Sequence, residues 1–138
     1  MTAIIAEKPS VGMDIARVVG ADTKNDGYCS GNGYLVTWAL GHLVSLAAPE
    51  TYGYTKADSE RLPMLPEPFR LVSRQIRTDR GMVPDIAAAR QLKVIDRVLR
   101  RCDSVIAATD AGREGELIFR WIYDYLGCTK PFRRLWIS

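Results

Sequence analysis

The chain has 138 residues and a formal net charge of +3, with 47% hydrophobic and 25% charged side chains. This size and composition are typical of one globular domain, and no apolar run approaches the roughly 18 residues of a membrane helix. Three scattered cysteines and a single histidine exclude a zinc finger or ribbon, which needs a spaced set of ligands. Isolated thiols suit the cytoplasm, and we expect no membrane partner.

The first half of the chain predicts a strand, a helix, a hairpin and an irregular excursion. An apolar run predicts a strand at Thr2–Ala6, and Ser10 is a candidate N-cap for a helix that ends at Gly20. Gly31–Gly33 predicts a hairpin turn. Residues 45–68 hold four of the seven prolines and predict irregular structure. The hairpin strands are expected at Tyr28–Ser30 and Tyr34–Leu40.

The second half alternates between strands and helices. Phe69–Arg77 predicts a strand, and a helix is expected from Pro84 to Arg101. Ser104–Ala108 is a second buried strand, followed by a strongly patterned helix over Arg113–Leu126 and a strand over Arg133–Ile137. This order predicts an α/β domain whose mostly parallel sheet is flanked by helices, with the hairpin and the irregular insertion between its two halves.

Two carboxylates follow the two best strands. Glu7 comes directly after the first strand, and Asp110 comes just after the second. Parallel strands in α/β sheets bring such residues to one edge, where two carboxylates and Glu114 in the next helix can bind Mg²⁺. The same acids also have simpler explanations, as a solvated turn residue and as partners of a helix dipole. Lys8 and Arg113, beside them, are either salt-bridge partners or phosphate ligands.

Positive charge is concentrated in the middle of the chain. Residues 61–101 carry ten basic and four acidic side chains, and most of the basic ones are arginine. This band is compatible with a nucleic-acid surface and equally with an ordinary solvated one. The chain has neither a P-loop nor a dinucleotide-binding motif. The single histidine, His42, lies between apolar residues and predicts a packed or hydrogen-bonded side chain.

Two motifs carry a family resemblance. Ala6-Glu7-Lys8-Pro9-Ser10 and Ala108-Thr109-Asp110-Ala111-Gly112-Arg113-Glu114-Gly115-Glu116 resemble the TOPRIM domain, and Gly41-His42-Leu43 and Arg134-Leu135-Trp136-Ile137-Ser138 look similar as well. The match is strongest to the N-terminal domain of bacterial type IA DNA topoisomerases of the topoisomerase III-like group. It covers essentially the whole chain and implies the TOPRIM fold.

The resemblance also implies a mechanism. Enzymes of this family cut one DNA strand with a tyrosine and reseal it, and metal held by the TOPRIM acids stabilises charge at the phosphate. Glu7, Asp110 and Glu114 match the metal-binding acids, and Glu7, Lys8 and Arg113 match catalytic positions. The middle acid of the family's DxDxE pattern is Gly112 here, so the expectation is a single Mg²⁺.

Single-stranded DNA and the remaining domains of the same enzyme are the partners that the resemblance implies, at the nucleoid. The six tyrosines match no nucleophile motif, so we expect the catalytic tyrosine beyond residue 138 and no relaxation activity from this chain alone. The candidate DNA-binding residues are Lys8, Arg70, Arg74, Arg77, Arg80 and Arg113.

Three alternatives stay open at this stage. A primase or a nuclease can contain the same domain, and a non-catalytic nucleic-acid-binding module is a rival from a different class. A tyrosine-bearing domain downstream would favour the topoisomerase. Retention of Asp110 and Glu114 argues against a non-catalytic module.

Overall fold

Ten strands and three helices form the part of the chain that the structure, a computed structural model, describes, namely residues 1–46 and 71–135. The predicted excursion therefore lies mostly outside the described residues, as do Arg70 and residues 136–138. The elements are β1 (Thr2–Ala6), α1 (Pro9–Val19), β2 (Thr23–Asn25), β3 (Tyr28–Gly31), β4 (Tyr34–Trp38), β5 (Val44–Leu46), β6 (Leu71–Ser73), β7 (Gln75–Thr78), β8 (Gly81–Pro84), α2 (Ile86–Arg101), β9 (Ser104–Ala108), α3 (Arg113–Tyr125) and β10 (Phe132–Arg134).

The central sheet has the strand order β10-β9-β1-β4-β3-β2. Its first four strands are parallel, and the hairpin strands β3 and β2 extend it in the antiparallel sense. The predicted α/β domain with a mostly parallel sheet is confirmed. In the register of this sheet, Ala6 at the end of β1 lies between Ala108 on β9 and Trp38 on β4. The two strands that precede the candidate carboxylates are therefore direct neighbours.

Helices cover both faces of the sheet because the side chains of β1 alternate. Ala3 and Ile5 are buried in a core formed with α2 and α3, whereas Ile4 and Ala6 are buried in a smaller core with α1. Phe119 on α3, which the helical pattern did not single out, is completely buried in the larger core. No helix in the described ranges is long and apolar enough to cross a membrane.

Several helix and turn predictions can be compared directly. The hairpin turn is confirmed, since Asn32 and Gly33 both have the positive φ of 52° and 82° that a tight hairpin needs. The N-cap assignment of Ser10 is wrong, because α1 begins at Pro9 and its N-cap is Lys8, two residues earlier, which makes no side-chain capping hydrogen bond. The start of α2 is also shifted, since Pro84 ends β8 and Asp85 is the N-cap.

The predicted strand over Phe69–Arg77 is two strands in different sheets. β6 pairs with β5 and β7 pairs with β8, and Arg74 lies between them. The Arg74 N–H donates to Leu43 O at 2.7 Å, while Arg74 O accepts from the Asp85 N–H at 2.9 Å, so its backbone joins the two small sheets. The last strand begins one residue earlier than predicted, at Phe132, and ends at Arg134, while residues 136 and 137 of the predicted strand lie outside the described residues. All three cysteines are free thiols, as expected.

Candidate active site at the carboxyl edge of the sheet

The sheet brings the two strand-end carboxylates together. Because β1 and β9 are parallel neighbours with Ala6 opposite Ala108, the residues that follow them leave the sheet side by side. The Asp110 N–H donates a hydrogen bond to Glu7 Oε1 at 3.1 Å. Glu7 is partly exposed and Asp110 is exposed, so their carboxylates face solvent at this edge. The juxtaposition predicted from the strand pattern is present.

The backbone around Asp110 packs too closely to tolerate a side chain at Gly115. A Cβ added at Gly115 would lie 1.8 Å from Asp110 O, inside any possible contact distance. Thr109 supports the same turn, since its Oγ1 donates to Gly115 O at 2.8 Å. The turn and the first turn of α3 therefore form one rigid unit that fixes Asp110.

Gly112 occupies the position at which the family pattern has its middle acid. Its φ of 143° and ψ of 174° lie in a region that essentially only glycine adopts, although no atom lies within 4 Å of a Cβ built there. The obstacle to a side chain is the backbone conformation and not the available space. An acid at this position would need a different turn.

Glu114 is held by a histidine. Its Oε1 is hydrogen-bonded to His42 Nε2 in a very short contact. Within residues 1–46 and 71–135, no three His, Cys, Asp or Glu side chains gather closely enough to hold a metal ion. Glu114 therefore does not join Glu7 and Asp110 in a common ligand set in this conformation. His42 is partly buried and hydrogen-bonded, as its sequence context predicted.

The sequence pattern missed a second ion-pair network below this edge. Arg134 donates from Nη1 to Thr109 O at 2.7 Å and to Thr109 Oγ1 at 2.8 Å, and it pairs through Nη2 with Glu116. Arg120 also pairs with Glu116, at 3.0 Å. Burial raises the pKa of Glu116, but the hydrogen bonds from Arg120 and Arg134 outweigh this effect and leave the pKa below its ordinary value. Glu116 is thus a structural anion.

The candidate phosphate-binding side chains lie at two places. Lys8 and Arg113 are exposed at the beginnings of α1 and α3, next to the Glu7–Asp110 pair. Arg77 on β7 and Arg80 in the turn that follows it are also exposed, on the β7–β8 hairpin. Arg70 lies outside the described residues.

Arg74 has a different environment from the other arginines of the basic band. Its Nε donates to Asp85 Oδ2 at 2.9 Å, and its Nη1 donates to Leu40 O at 2.7 Å and to His42 O at 3.1 Å. Its guanidinium is therefore used to fasten the His42 loop to the start of α2. We leave Arg74 out of the DNA-binding set proposed below.

Two of the described tyrosines use their hydroxyl groups in hydrogen bonds away from the Glu7–Asp110 edge. Tyr123 donates from Oη to Lys130 O at 2.8 Å, and burial raises its pKa, which is opposite to what a nucleophile requires. The Tyr28 hydroxyl accepts from Arg101 at 3.2 Å. Tyr52 and Tyr54 lie outside the described residues.

Comparison with known proteins agrees with the geometry of this edge. The family model described as "Toprim domain" matches residues 2–138. Proteins named DNA topoisomerase 3 from Shouchella clausii and Bacillus thuringiensis are 49% and 50% identical over 99% and 98% of this chain. One from Bacillus licheniformis is 47% identical over 99% of it. The chain spans 18% of the length of each of these relatives. This chain belongs to the Toprim domain family.

Proposed function

We propose that this chain is the Mg²⁺-binding Toprim domain of a type IA DNA topoisomerase of the topoisomerase III kind, acting on single-stranded DNA. The observation that carries the proposal is the meeting of Glu7 and Asp110 at the carboxyl edge of β1 and β9, with the Asp110 N–H bonded to Glu7 Oε1 at 3.1 Å. The names of the relatives favour a topoisomerase over a primase, a nuclease or a non-catalytic module.

The donor set suits one magnesium ion. Toprim domains in general bind Mg²⁺. This ion needs only one or two carboxylates, because it keeps several of its waters. The bond from the Asp110 N–H uses one oxygen of Glu7, which leaves Glu7 Oε2 and both oxygens of Asp110 as ligands. Gly112 supplies no third carboxylate between them, which favours a single ion. Glu114 contributes through water from its place beside His42.

The remaining side chains of the edge bind and orient the DNA. Mg²⁺, when bound, supplies positive charge next to the phosphate. Lys8 and Arg113 add two cations on either side of the Glu7–Asp110 pair and contact the scissile phosphate. The alternative role of Glu7, in a state in which it does not bind the ion, is to donate a proton to the leaving 3′ oxygen. Arg77 and Arg80 on the β7–β8 hairpin contact phosphates further along the strand.

Calorimetric titration with Mg²⁺ tests the metal site. We expect a binding isotherm for the wild-type chain, and its loss in Asp110→Asn, which keeps the size of the side chain and removes its charge. Asp124→Asn is the matched control, because Asp124 is an exposed acid near the other end of α3. Isotherms that are the same for wild type and Asp110→Asn would refute the site.

Strand cleavage needs a nucleophile that we place outside this chain. The described tyrosines either form hydrogen bonds inside the domain or have no place at the Glu7–Asp110 edge. We therefore expect no relaxation of supercoiled plasmid by the 138-residue chain alone. Relaxation that persists with the purified chain would show that the nucleophile is present in it.

A further inference from the structure

His42 is the single histidine of the chain, and it contacts Glu114 at the edge described above. Its side chain is 33% exposed, whereas that of Glu114 is 74% exposed. The imidazole lies 5.7 Å from the ring of Trp121, at an angle of 52°. Trp121 is on the same helix as Glu114, two turns further on, so one helix supplies both the packing surface and the hydrogen-bond partner of the imidazole.

The backbone that carries His42 is fixed from two sides. The Gly41 N–H donates to Glu7 O at 3.2 Å, which ties the loop to the end of β1. Arg74 donates to the carbonyl oxygens of Leu40 and His42, and Arg74 is itself held by Asp85 at the start of α2. The imidazole therefore projects from an immobile loop, while Glu114 is a long side chain on the exposed side of α3.

The hydrogen bond has a defined direction. An ionised glutamate carboxylate only accepts, so His42 donates from Nε2, which carries a proton. His42 Nδ1 is buried and has no hydrogen-bond partner among the described residues. The proton on Nε2 is a specific, measurable consequence of the contact with Glu114.

We propose that His42 is a positioning residue that holds Glu114 in the place from which it reaches a Glu7–Asp110-bound Mg²⁺ through water. The inference rests on the proposed function, since it needs an ion at that edge. An exposed glutamate without a hydrogen-bond partner samples many rotamers. Fixing it in one rotamer before the ion binds can raise the affinity for Mg²⁺ by up to about tenfold. His42 fixes the side chain before the ion arrives. Residues that orient the outer carboxylates of metal sites commonly affect affinity in this way.

Two variants at position 42 test the role in metal binding. We expect His42→Ala to weaken Mg²⁺ binding by about threefold to tenfold in calorimetry, because Glu114 loses its anchor. His42→Gln keeps an N–H donor near the position of Nε2 and is expected to restore part of the affinity. Equal or tighter Mg²⁺ binding by His42→Ala overturns the proposal, and so does a His42→Gln variant no better than His42→Ala. Thermal melting of each variant confirms that the loop is folded.

Nuclear magnetic resonance of the imidazole nitrogens tests the His42–Glu114 contact separately from Mg²⁺ binding. With one histidine, all imidazole ¹⁵N signals belong to His42. We expect a proton on Nε2, a clear change of both nitrogen signals in Glu114→Gln, and persistence of the proton on Nε2 when Mg²⁺ is added. Unchanged signals in Glu114→Gln overturn the His42–Glu114 contact. An absence of Mg²⁺ binding with that contact intact refutes the proposed function instead.

Discussion

The turns after β1 and β9 deliver neighbouring carboxylates to the same edge, but they are built in different ways. After β1, only Glu7 and Lys8 separate the strand from α1, which begins at Pro9. After β9, the chain takes four residues, Thr109 to Gly112, before α3 begins. The first turn is short and leads into its helix at a proline, whereas the second turn is longer and packs against Gly115 and Arg134.

This difference between the two turns makes the position of Asp110 more sensitive to mutation than the position of Glu7. Glu7 follows directly from a strand and precedes a proline, whose ring fixes φ for the first helical residue. Asp110 depends on the missing side chain of Gly115, on the Thr109 hydroxyl and on Arg134. Mutations that leave the Glu7 turn intact can therefore still displace Asp110 and disrupt the proposed metal site.

Gly115→Ala is expected to have the largest effect. The added Cβ would lie 1.8 Å from Asp110 O, so the turn must move as a whole. We expect a loss of roughly 3 kcal/mol or more in the free energy of unfolding, at the upper end for overpacking, together with loss of Mg²⁺ binding. Urea unfolding and calorimetry measure the two effects.

Gly112→Ala is the matched control for that variant. It also adds one methyl group to the turn, but no atom lies within 4 Å of the new Cβ and the cost comes only from the φ of 143°. We expect a loss of about 1 to 3 kcal/mol. If Gly112→Ala proves as damaging as Gly115→Ala, steric contact with Asp110 is not what fixes the turn.

Arg134→Met is expected to have the next largest effect on the free energy of unfolding. The side chain of Arg134 is only 12% exposed, and its loss removes two hydrogen bonds to Thr109 and one partner of Glu116. We expect about 2 to 3 kcal/mol of destabilisation, since hydrogen bonds from a charged donor are lost in a partly buried site. Arg120→Met is the control. Its pair with Glu116 is 49% and 44% exposed, and we expect less than about 1 kcal/mol.

The sequence predicts one of these two turns far better than the other. Two five-residue apolar runs, each ended by or near an acid, were enough to predict β1, β9 and the meeting of Glu7 with Asp110. The contacts that fix the second turn were not predicted. Glu114 and His42 are 72 residues apart, and Glu116 and Arg134 are 18 apart, so their pairing depends on how α3 packs and not on any local pattern.

The local sequence patterns also misplaced the starts of α1 and α2, because in each case two nearby residues are suitable for the start of a helix. Ser10 is a good N-cap by type, but Pro9 already satisfies the first helical position. Pro84 suits a helix start, but it pairs with Gln75 in the β7–β8 hairpin, and Asp85 caps the helix by accepting from Ala87 and Ala88. A proline thus decides the first boundary by starting the helix, and strand pairing decides the second.

Low pH is expected to destabilise the turn after β9 more than the turn after β1, because it protonates Glu116. The pKa of Glu116 is below its ordinary value of 4.5 in the folded chain, since the bonds from Arg120 and Arg134 outweigh the effect of burial. The stabilisation it provides is therefore complete above that value and is lost as the pH falls through the lower, folded-state pKa. We expect Glu116→Gln to be less stable than wild type at neutral pH, with the two urea midpoints converging as the pH falls through the lowered folded-state pKa of Glu116. A constant difference at all pH values would contradict the prediction.

Ser10→Ala is expected to have the smallest effect, and it tests the first turn directly. Ser10 lies inside α1, whose N-cap makes no side-chain hydrogen bond, so the substitution removes no cap. We expect a change within about 0.5 kcal/mol in urea unfolding, whereas loss of a true serine cap costs about 1 kcal/mol. Asp85→Ala provides the comparison, because Asp85 accepts from two backbone N–H groups at the start of α2 and must be the more sensitive position. If Ser10→Ala is as harmful as Asp85→Ala, Ser10 is the N-cap, α1 begins at Val11, and the turn that carries Glu7 is two residues longer.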